Sequence, residues 1–505
     1  MTSAPTRAAA PAVPLCDRTL TQLPQDISTP TYDRSALRPG IVHIGVGGFH
    51  RAHQAVYLDE LARRGETGWG VLGVGLHSRA IGEVLAGQDR LWTVVERAAD
   101  GDRATVVGAL TGYLYAPDDP EAVLAALTDE ATRVVSLTIT GSGYRVDAHT
   151  GEFDAEDPHV ARDLEDPGHP GTVFGYLVEA LHRRRQAGLA PFTVLSCDNM
   201  PSNGSAARTA VVSFARLRDG DGGDLADWIE EHVTFPSSMV DRITPTTTPE
   251  DRDAVVAQTG VDDRWPVITE PFRQWVVEDS FCNGRPPLED VGVRFVDDVS
   301  PYETVKTRLL NAGHSAIAYL GYLAGHRTTD EVMADPVFRT FLTRLMAEEI
   351  APHLPEVPGV DLAEYQATLL DRLANPRMAD QLARLSRRGS SKIPNYLLPS
   401  VQAAMEAGTP HRLLCVAVAG WLRFLRGSDY AGEEVPIEGP RPDLVPIAQE
   451  AGADAGPLLS ERSVFDHVGQ DPRFADCVQA ALSALDRQGP REVIEEFLGS
   501  RGGTA

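Results

Sequence analysis

RPGIVHIGVGGFHRAHQAVYLDELARRG, residues 38–65, sets the reading of the N-terminal part of the chain. Ile41, Val42 and Ile44 make a short apolar strand. Gly45, Gly47 and Gly48 make a turn, and the residues that follow show the period of an amphipathic helix. A strand, a glycine turn and a helix in that order are the context a dinucleotide fingerprint requires. Gly45 permits the tight turn, and Gly47 lets the backbone approach a pyrophosphate held at the helix N-terminus. The third glycine of the pattern is replaced by His50. By itself such a turn is shared with many strand–helix junctions. Arg51 stands where it meets either a phosphate or solvent. His50 and His53 have no third ligand in view, so no metal site is expected.

Working outward, residues 69–76, 133–140 and 192–199 read as further buried strands, with helical segments such as 172–189 between them. Strand–helix alternation of this kind predicts a parallel sheet covered by helices. Beyond about residue 295 helix-period segments dominate: 303–325, 336–349, 361–373, 397–406, 411–426 and 472–486. The expectation is an α/β chain. A loosely structured lead-in over 1–38 precedes a Rossmann-type dinucleotide-binding domain over 39–295 and a mostly α-helical domain over 296–505. The turn-rich stretch 428–443 reads as a surface excursion of hairpin type. An acid usually ends the second strand and binds the adenosine ribose. Here the strand runs into Leu76, His77, Ser78 and Arg79. Because Arg79 suits a 2′-phosphate, NAD and NADP both stay open.

The 505 residues carry a net charge of −26, which argues against a nucleic-acid partner. Cysteines at 16, 197, 282, 415 and 477 are scattered, with no CxxC, so neither a disulfide framework nor a zinc knuckle is suggested. No run approaches the roughly 18 apolar residues of a membrane span. The N-terminus lacks the apolar core of a signal peptide. A soluble, cytoplasmic protein with no membrane partner is expected.

Of 46 lysine and arginine residues only two are lysines, Lys306 and Lys392. Arginine stays protonated in any protein environment, whereas a buried lysine can shed its proton near neutrality. Lysine is therefore retained where a reaction needs a neutral amine or a compact ammonium. Lys306 opens KTRLLNAGHS. On an α-helix Asn311 and His314 are neighbours on one face, and Lys306 and His314 lie about 80° apart around the axis. A base, an amide donor and an imidazole together suit the oxidation of an alcohol. A core histidine and a capping asparagine are the competing reading.

IVHIGVGGFHRAHQ, SCDNMPSNG, FPSSMVDRITP, EPFRQWVVED, KTRLLNAGHS and GSSKIPN together resemble the mannitol dehydrogenase family of metal-independent polyol dehydrogenases, in order from about residue 39 to 490. The resemblance implies a nicotinamide site between a Rossmann-type domain and a helical domain. Gly45, Gly47, Gly48, Phe49 and Arg51 would hold the cofactor, NAD by first expectation. Lys306 matches the family's general base, with Asn311 and His314 beside it. Asn199 matches the second amide of the oxyanion-stabilising pair, and Glu303 an acid on a proton path. Asp241, next to Val240, together with Arg384 and Lys392, matches residues that grip the sugar hydroxyls.

The implied reaction moves a hydride between C2 of a linear polyol, D-mannitol first and D-arabinitol next, and the cofactor. The partner is then a small polyol or ketose, and the family implies a monomer. Fructuronate reduction is the runner-up. A non-catalytic sugar- or nucleotide-binding protein and a metal-dependent dehydrogenase stand further off. Two departures from the family pattern stand out. Gly141, near Tyr144, occupies a position where a glutamate is frequent. Arg388 replaces a frequent aspartate, adding charge that suits an acidic sugar.

Overall fold

The structure is a computed structural model that describes residues 12–147 and 150–499. The chain separates into two compact units that divide between Ser300 and Pro301.

The first unit is built on strands β1 (Pro39–Ile44), β2 (Gly70–Gly75), β3 (Trp92–Ala98), β4 (Gly101–Val107), β5 (Leu110–Tyr115), β6 (Val134–Leu137) and β7 (Thr193–Ser196). Five of them form one parallel sheet in the order β5-β2-β1-β6-β7. Its central strands are mainly apolar because both faces are covered, with buried polar residues such as His43 and Ser136 toward their carboxyl ends. Val42, Ile44, Val135, Leu137 and Val194 pack on α3 (Val173–Gln186) and α4 (Asn203–Asp219) through Phe174, Leu177 and Val211. On the opposite face Ile41, Val71, Val134 and Leu195 meet Ala55, Leu58 and Leu61. Each fully buried aliphatic side chain of this kind contributes roughly 1.5–3 kcal/mol. The strand order reverses direction between β1 and β6. In such sheets ligands bind beyond the carboxyl ends of the strands at that point.

Two expectations are corrected in this unit. The helix after the glycine turn is broken into α1 (Gly48–Ala52) and α2 (Gln54–Arg63), because His53 leaves helical geometry (φ −117°, ψ −87°) to reach the Gln274 carbonyl at 2.9 Å. Nor is α2 half-exposed. Trp275 covers Tyr57, and buried Asp59 binds Tyr32, Arg63 and the Gly108 amide. The lead-in, from residue 12 onward, is not loose. Val13–Pro14 pairs with Val261–Asp262, and Leu15, Leu23 and Ile27 form a small cluster with Leu91, Val106 and Val261. The first eleven residues of the expected lead-in lie outside the described residues.

β8 (Ser238–Asp241), β10 (Gln274–Glu278) and β11 (Arg294–Val296) make a second small sheet, and β9 (Val267–Thr269) joins β3 and β4 in a third.

The second unit is helical. α5 (Ser300–Lys306) runs through a π-turn, Thr307–Asn311, into α6 (Ala312–Leu323). Apolar on most sides, α6 is buried, as its composition dictates. It packs against α10 (Arg412–Phe424), which packs in turn on α11 (Pro472–Arg487). Between them come α7 (Leu382–Leu385), α8 (Gly389–Lys392) and α9 (Leu398–Ala407). The stretch 428–443 makes a single antiparallel bridge, Ser428 to Glu434, instead of a hairpin ladder. Pro436, Pro440 and Pro442 supply no N–H to extend one. Among the described residues, no helix is long and apolar enough to cross a membrane.

Candidate active site

In the first unit the expected site residues follow the carboxyl ends of β1 and β7, except Asp241, which closes β8. Gly45 adopts φ +102°, and a Cβ there would stand 2.2 Å from the Thr138 carbonyl oxygen, so only glycine fits. At Gly47 an added Cβ would meet only the Gly45 oxygen, at 3.8 Å, and at Gly48 nothing within 4 Å. The turn therefore presents bare backbone at the start of α1, which a dinucleotide phosphate can approach. Phe49 lies flat on His53, ring centroids 5.0 Å apart.

Arg51 is corrected as a phosphate contact. It is 3% exposed, and its guanidinium donates to the Trp265 carbonyl at 2.6 Å. Burial brings its pKa down to about 10. His50 and His53 are likewise committed to packing: His50 stacks on His43, and His53 binds Gln274. Among the described residues no three His, Cys, Asp or Glu side chains gather as a metal would need.

Asn199 is exposed just past β7, and its setting comes from a residue the sequence reading passed over. Buried Asp198 accepts from the Ile139 and Thr140 amides at 3.1 and 2.7 Å and from the Tyr144 hydroxyl at 2.6 Å. Burial pushes its carboxyl above the usual range while the Tyr144 hydrogen bond pulls it back. The network pins the segment holding Thr140, itself at φ +67°, and Gly141 to the loop that presents Asn199. The acid of SCDN was the available signal, one residue from the asparagine that drew attention. Asp241 ends β8 and is 3% exposed, and its charge is felt by the His53 ring.

The second unit holds the lysines. Lys306 is 6% exposed and closes α5, with Glu303 one turn before it. The uninterrupted α-helix expected here is corrected by the π-turn, in which the Ala312 N–H reaches back five residues to the Thr307 carbonyl. On an α-helix residues five apart diverge by about 140°. With one residue inserted they lie about 40° apart, so Asn311 falls toward the Lys306 face. A π-turn amounts to one residue inserted into an α-helix, so Lys306 and His314 come within about 20° of each other instead of about 80°.

Burial brings the His314 pKa down to about 4, so the imidazole is neutral near pH 7. Its Nε2 is buried without a hydrogen-bond partner, a position that a substrate oxygen would satisfy.

Arg384 and Lys392 lie in the same neighbourhood, since both act electrostatically on His314. Arg384 is gripped by buried Asp380 (Nε to Oδ1 2.9 Å), a partner the sequence reading did not find. The Lys392 Nζ donates to the Leu385 carbonyl at 2.7 Å. Burial, aided by Arg384, lowers the Lys392 pKa from 10.5 to about 8. Arg388, held at φ +59°, is exposed, and its N–H donates to the Glu438 carbonyl at 2.6 Å. Arg387 pairs with the Glu438 carboxylate at 3.1 Å.

Residues 39–290 match the mannitol dehydrogenase Rossmann domain, and residues 298–486 match the mannitol dehydrogenase C-terminal domain. The chain belongs to the mannitol dehydrogenase family. Among its relatives, mannitol 2-dehydrogenase of Aspergillus terreus is 46% identical over 94% of this chain and 96% of its own. That of Pyrenophora tritici-repentis is 45% identical over 97% and 88%. Among solved structures, Pseudomonas fluorescens mannitol 2-dehydrogenase, a ternary complex with NAD and D-mannitol, is 41% identical with a TM-score of 0.86, covering 97% of this chain and all of that one. Substrate-free D-sorbitol dehydrogenase is 38% identical with a TM-score of 0.88, covering 95% and 100%. As in other members of the family, a Rossmann-type unit precedes a helical one.

Proposed function

We propose that this protein is a polyol 2-dehydrogenase that interconverts D-mannitol and D-fructose with NAD. The observation that best supports the reading is the π-turn: one residue inserted after Lys306 turns that buried lysine, the Asn311 amide and the His314 imidazole, whose Nε2 has no hydrogen-bond partner, toward one helix face. Its full-length similarity to mannitol 2-dehydrogenases supports the substrate, and the NAD and D-mannitol complex of its 41%-identical relative supports the pair.

The bare turn at Gly45, Gly47 and Gly48 would hold the cofactor, which when bound accepts the hydride in oxidation and donates it in reduction. Lys306 takes the proton of the C2 hydroxyl in oxidation and returns it in reduction. Asn199 and Asn311 hold that oxygen as charge develops on it, and His314 orients it. Asp241, Arg384 and Lys392 grip the remaining hydroxyls. Arg79, the residue a 2′-phosphate would meet, is already paired with Asp118, which favours NAD over NADP. Full-length likeness to mannitol 2-dehydrogenases, together with the pairing of Arg384 with Asp380, gives fructuronate reduction the weaker support. The domain limits 39–295 and 296–505, a monomeric state and a cytoplasmic location complete the reading.

The test is absorbance of reduced nicotinamide with D-mannitol, D-arabinitol, D-sorbitol, D-fructose and fructuronate, each with NAD(H) and NADP(H). D-Mannitol with NAD is expected to give the highest kcat/KM. A higher value for fructuronate, or turnover of none of these, contradicts the proposal.

A pH dependence follows from Lys392. With its pKa lowered to about 8, it is about nine-tenths charged at pH 7 and about one-tenth at pH 9. The ammonium is the stronger hydrogen-bond donor, so KM for D-mannitol is expected to rise as pH increases through 8. Lys392→Met should show a high KM with no such rise. An identical pH dependence in both proteins would remove Lys392 from the substrate site.

A further inference from the structure

We infer that His43 is the positioning residue of the cofactor turn, fixing the conformation of Gly45 from beneath. The inference rests on the reading of that turn as the NAD site. His43 is fully buried one residue before the end of β1, the strand at which the sheet order reverses. Its Nδ1 lies 2.8 Å from the Ser136 hydroxyl, and its Nε2 lies 3.0 Å from the Thr138 hydroxyl and 3.2 Å from the Gly45 carbonyl oxygen. The Thr138 hydroxyl donates to the same Gly45 oxygen at 2.7 Å.

A carbonyl oxygen only accepts, so one tautomer fits all four contacts. Nε2 carries the proton and donates toward Thr138 and Gly45, while Nδ1 accepts from Ser136. Burial, which holds the imidazole neutral, keeps that tautomer in place.

Ser136 and Thr138 flank the end of β6, so the ring ties β1 to β6 where the chain turns. Backbone bonds close the same frame: Gly45 N–H to the Val74 carbonyl at 2.9 Å, and Thr138 N–H to the Ile44 carbonyl at 3.0 Å. The Gly45 carbonyl, the last acceptor before the open Gly47 and Gly48, therefore cannot rotate without breaking two side-chain hydrogen bonds.

His50 completes the arrangement. It replaces the third glycine of the fingerprint, whose use elsewhere is close packing of helix on strand. Here its ring lies flat on His43, centroids 3.5 Å apart and planes within 14°, so two stacked imidazoles make the contact. His43 touches neither of the open glycines, so its effect on the cofactor passes through Gly45.

The experiment is titration of full-length protein with NADH by fluorescence, together with KM for NAD and for D-mannitol, in wild type, His43→Leu, His43→Gln and Thr138→Val. For His43→Leu, Kd for NADH and KM for NAD are expected to rise about tenfold, the scale of a lost buried hydrogen bond. KM for D-mannitol should stay within about twofold. His43→Gln, which restores an N–H donor, should recover most of the affinity, a rescue that a merely space-filling role would not produce. Thr138→Val should weaken NADH severalfold, and it decides the matter if His43→Leu does not fold. NADH affinity unchanged in the folded variants overturns the inference while leaving the cofactor reading intact. Wild type that fails to bind NADH overturns both.

Discussion

Replacing Lys306 with alanine is expected to lower kcat for D-mannitol oxidation by about a hundred- to ten-thousand-fold, the range that proton transfer by a positioned side chain supplies. Because the proton moves only on the way to the transition state, kcat and kcat/KM should fall together, with KM little changed. Lys306→Arg should be as inactive as the alanine variant, since a guanidinium does not release its proton at accessible pH. Circular dichroism and the melting temperature check that the buried position tolerates the change. A kcat within a few-fold of wild type in folded Lys306→Ala would remove the lysine from the chemistry.

The second large effect is expected at Asn311. Asn311→Leu keeps the branching pattern and removes the amide, and kcat should drop about a hundred- to a thousand-fold, as for loss of one donor to a developing oxyanion. The Asn311 backbone carbonyl accepts from the Ser315 hydroxyl at 3.0 Å, a bond that survives the substitution, so the helix should keep its course. Asn311→Asp offers a carboxylate where a donor is needed and should be no better. If Asn311→Leu retains wild-type kcat, the π-turn does not serve to bring an amide to the lysine.

Much of this was legible in the sequence. Ile41, Val42, Ile44 and the glycines after them announce a parallel strand and its turn, because a strand covered on both faces is mainly apolar. Lys306 and Lys392 stand out because arginine fills the other cationic positions. The π-turn was not legible. TRLLN fits an α-helical pattern equally well, and apolar periodicity does not register one inserted residue. Arg51 was misread because its burial depends on a carbonyl at Trp265, more than two hundred residues away. Asp198 was missed for the same kind of reason. It is an ordinary acid until the fold brings it the Thr140 amide, 58 residues away, whereas Asp380 stands only four residues before Arg384, so that pairing was available from local spacing. His53 ends α1 for a partner on another strand, Gln274, and nothing within residues 48–63 signals that break.

The central claim is hydride transfer from C2 of a linear polyol to NAD. D-Mannitol deuterated at both C2 and C5, which its two-fold symmetry makes equivalent, incubated with the protein and NAD, tests it most directly by mass spectrometry of the NADH formed. One deuterium per NADH is expected, with D-fructose as co-product and kcat/KM lowered relative to unlabelled mannitol. NADH free of deuterium, deuterium released to solvent, or no NADH from mannitol at all would contradict it.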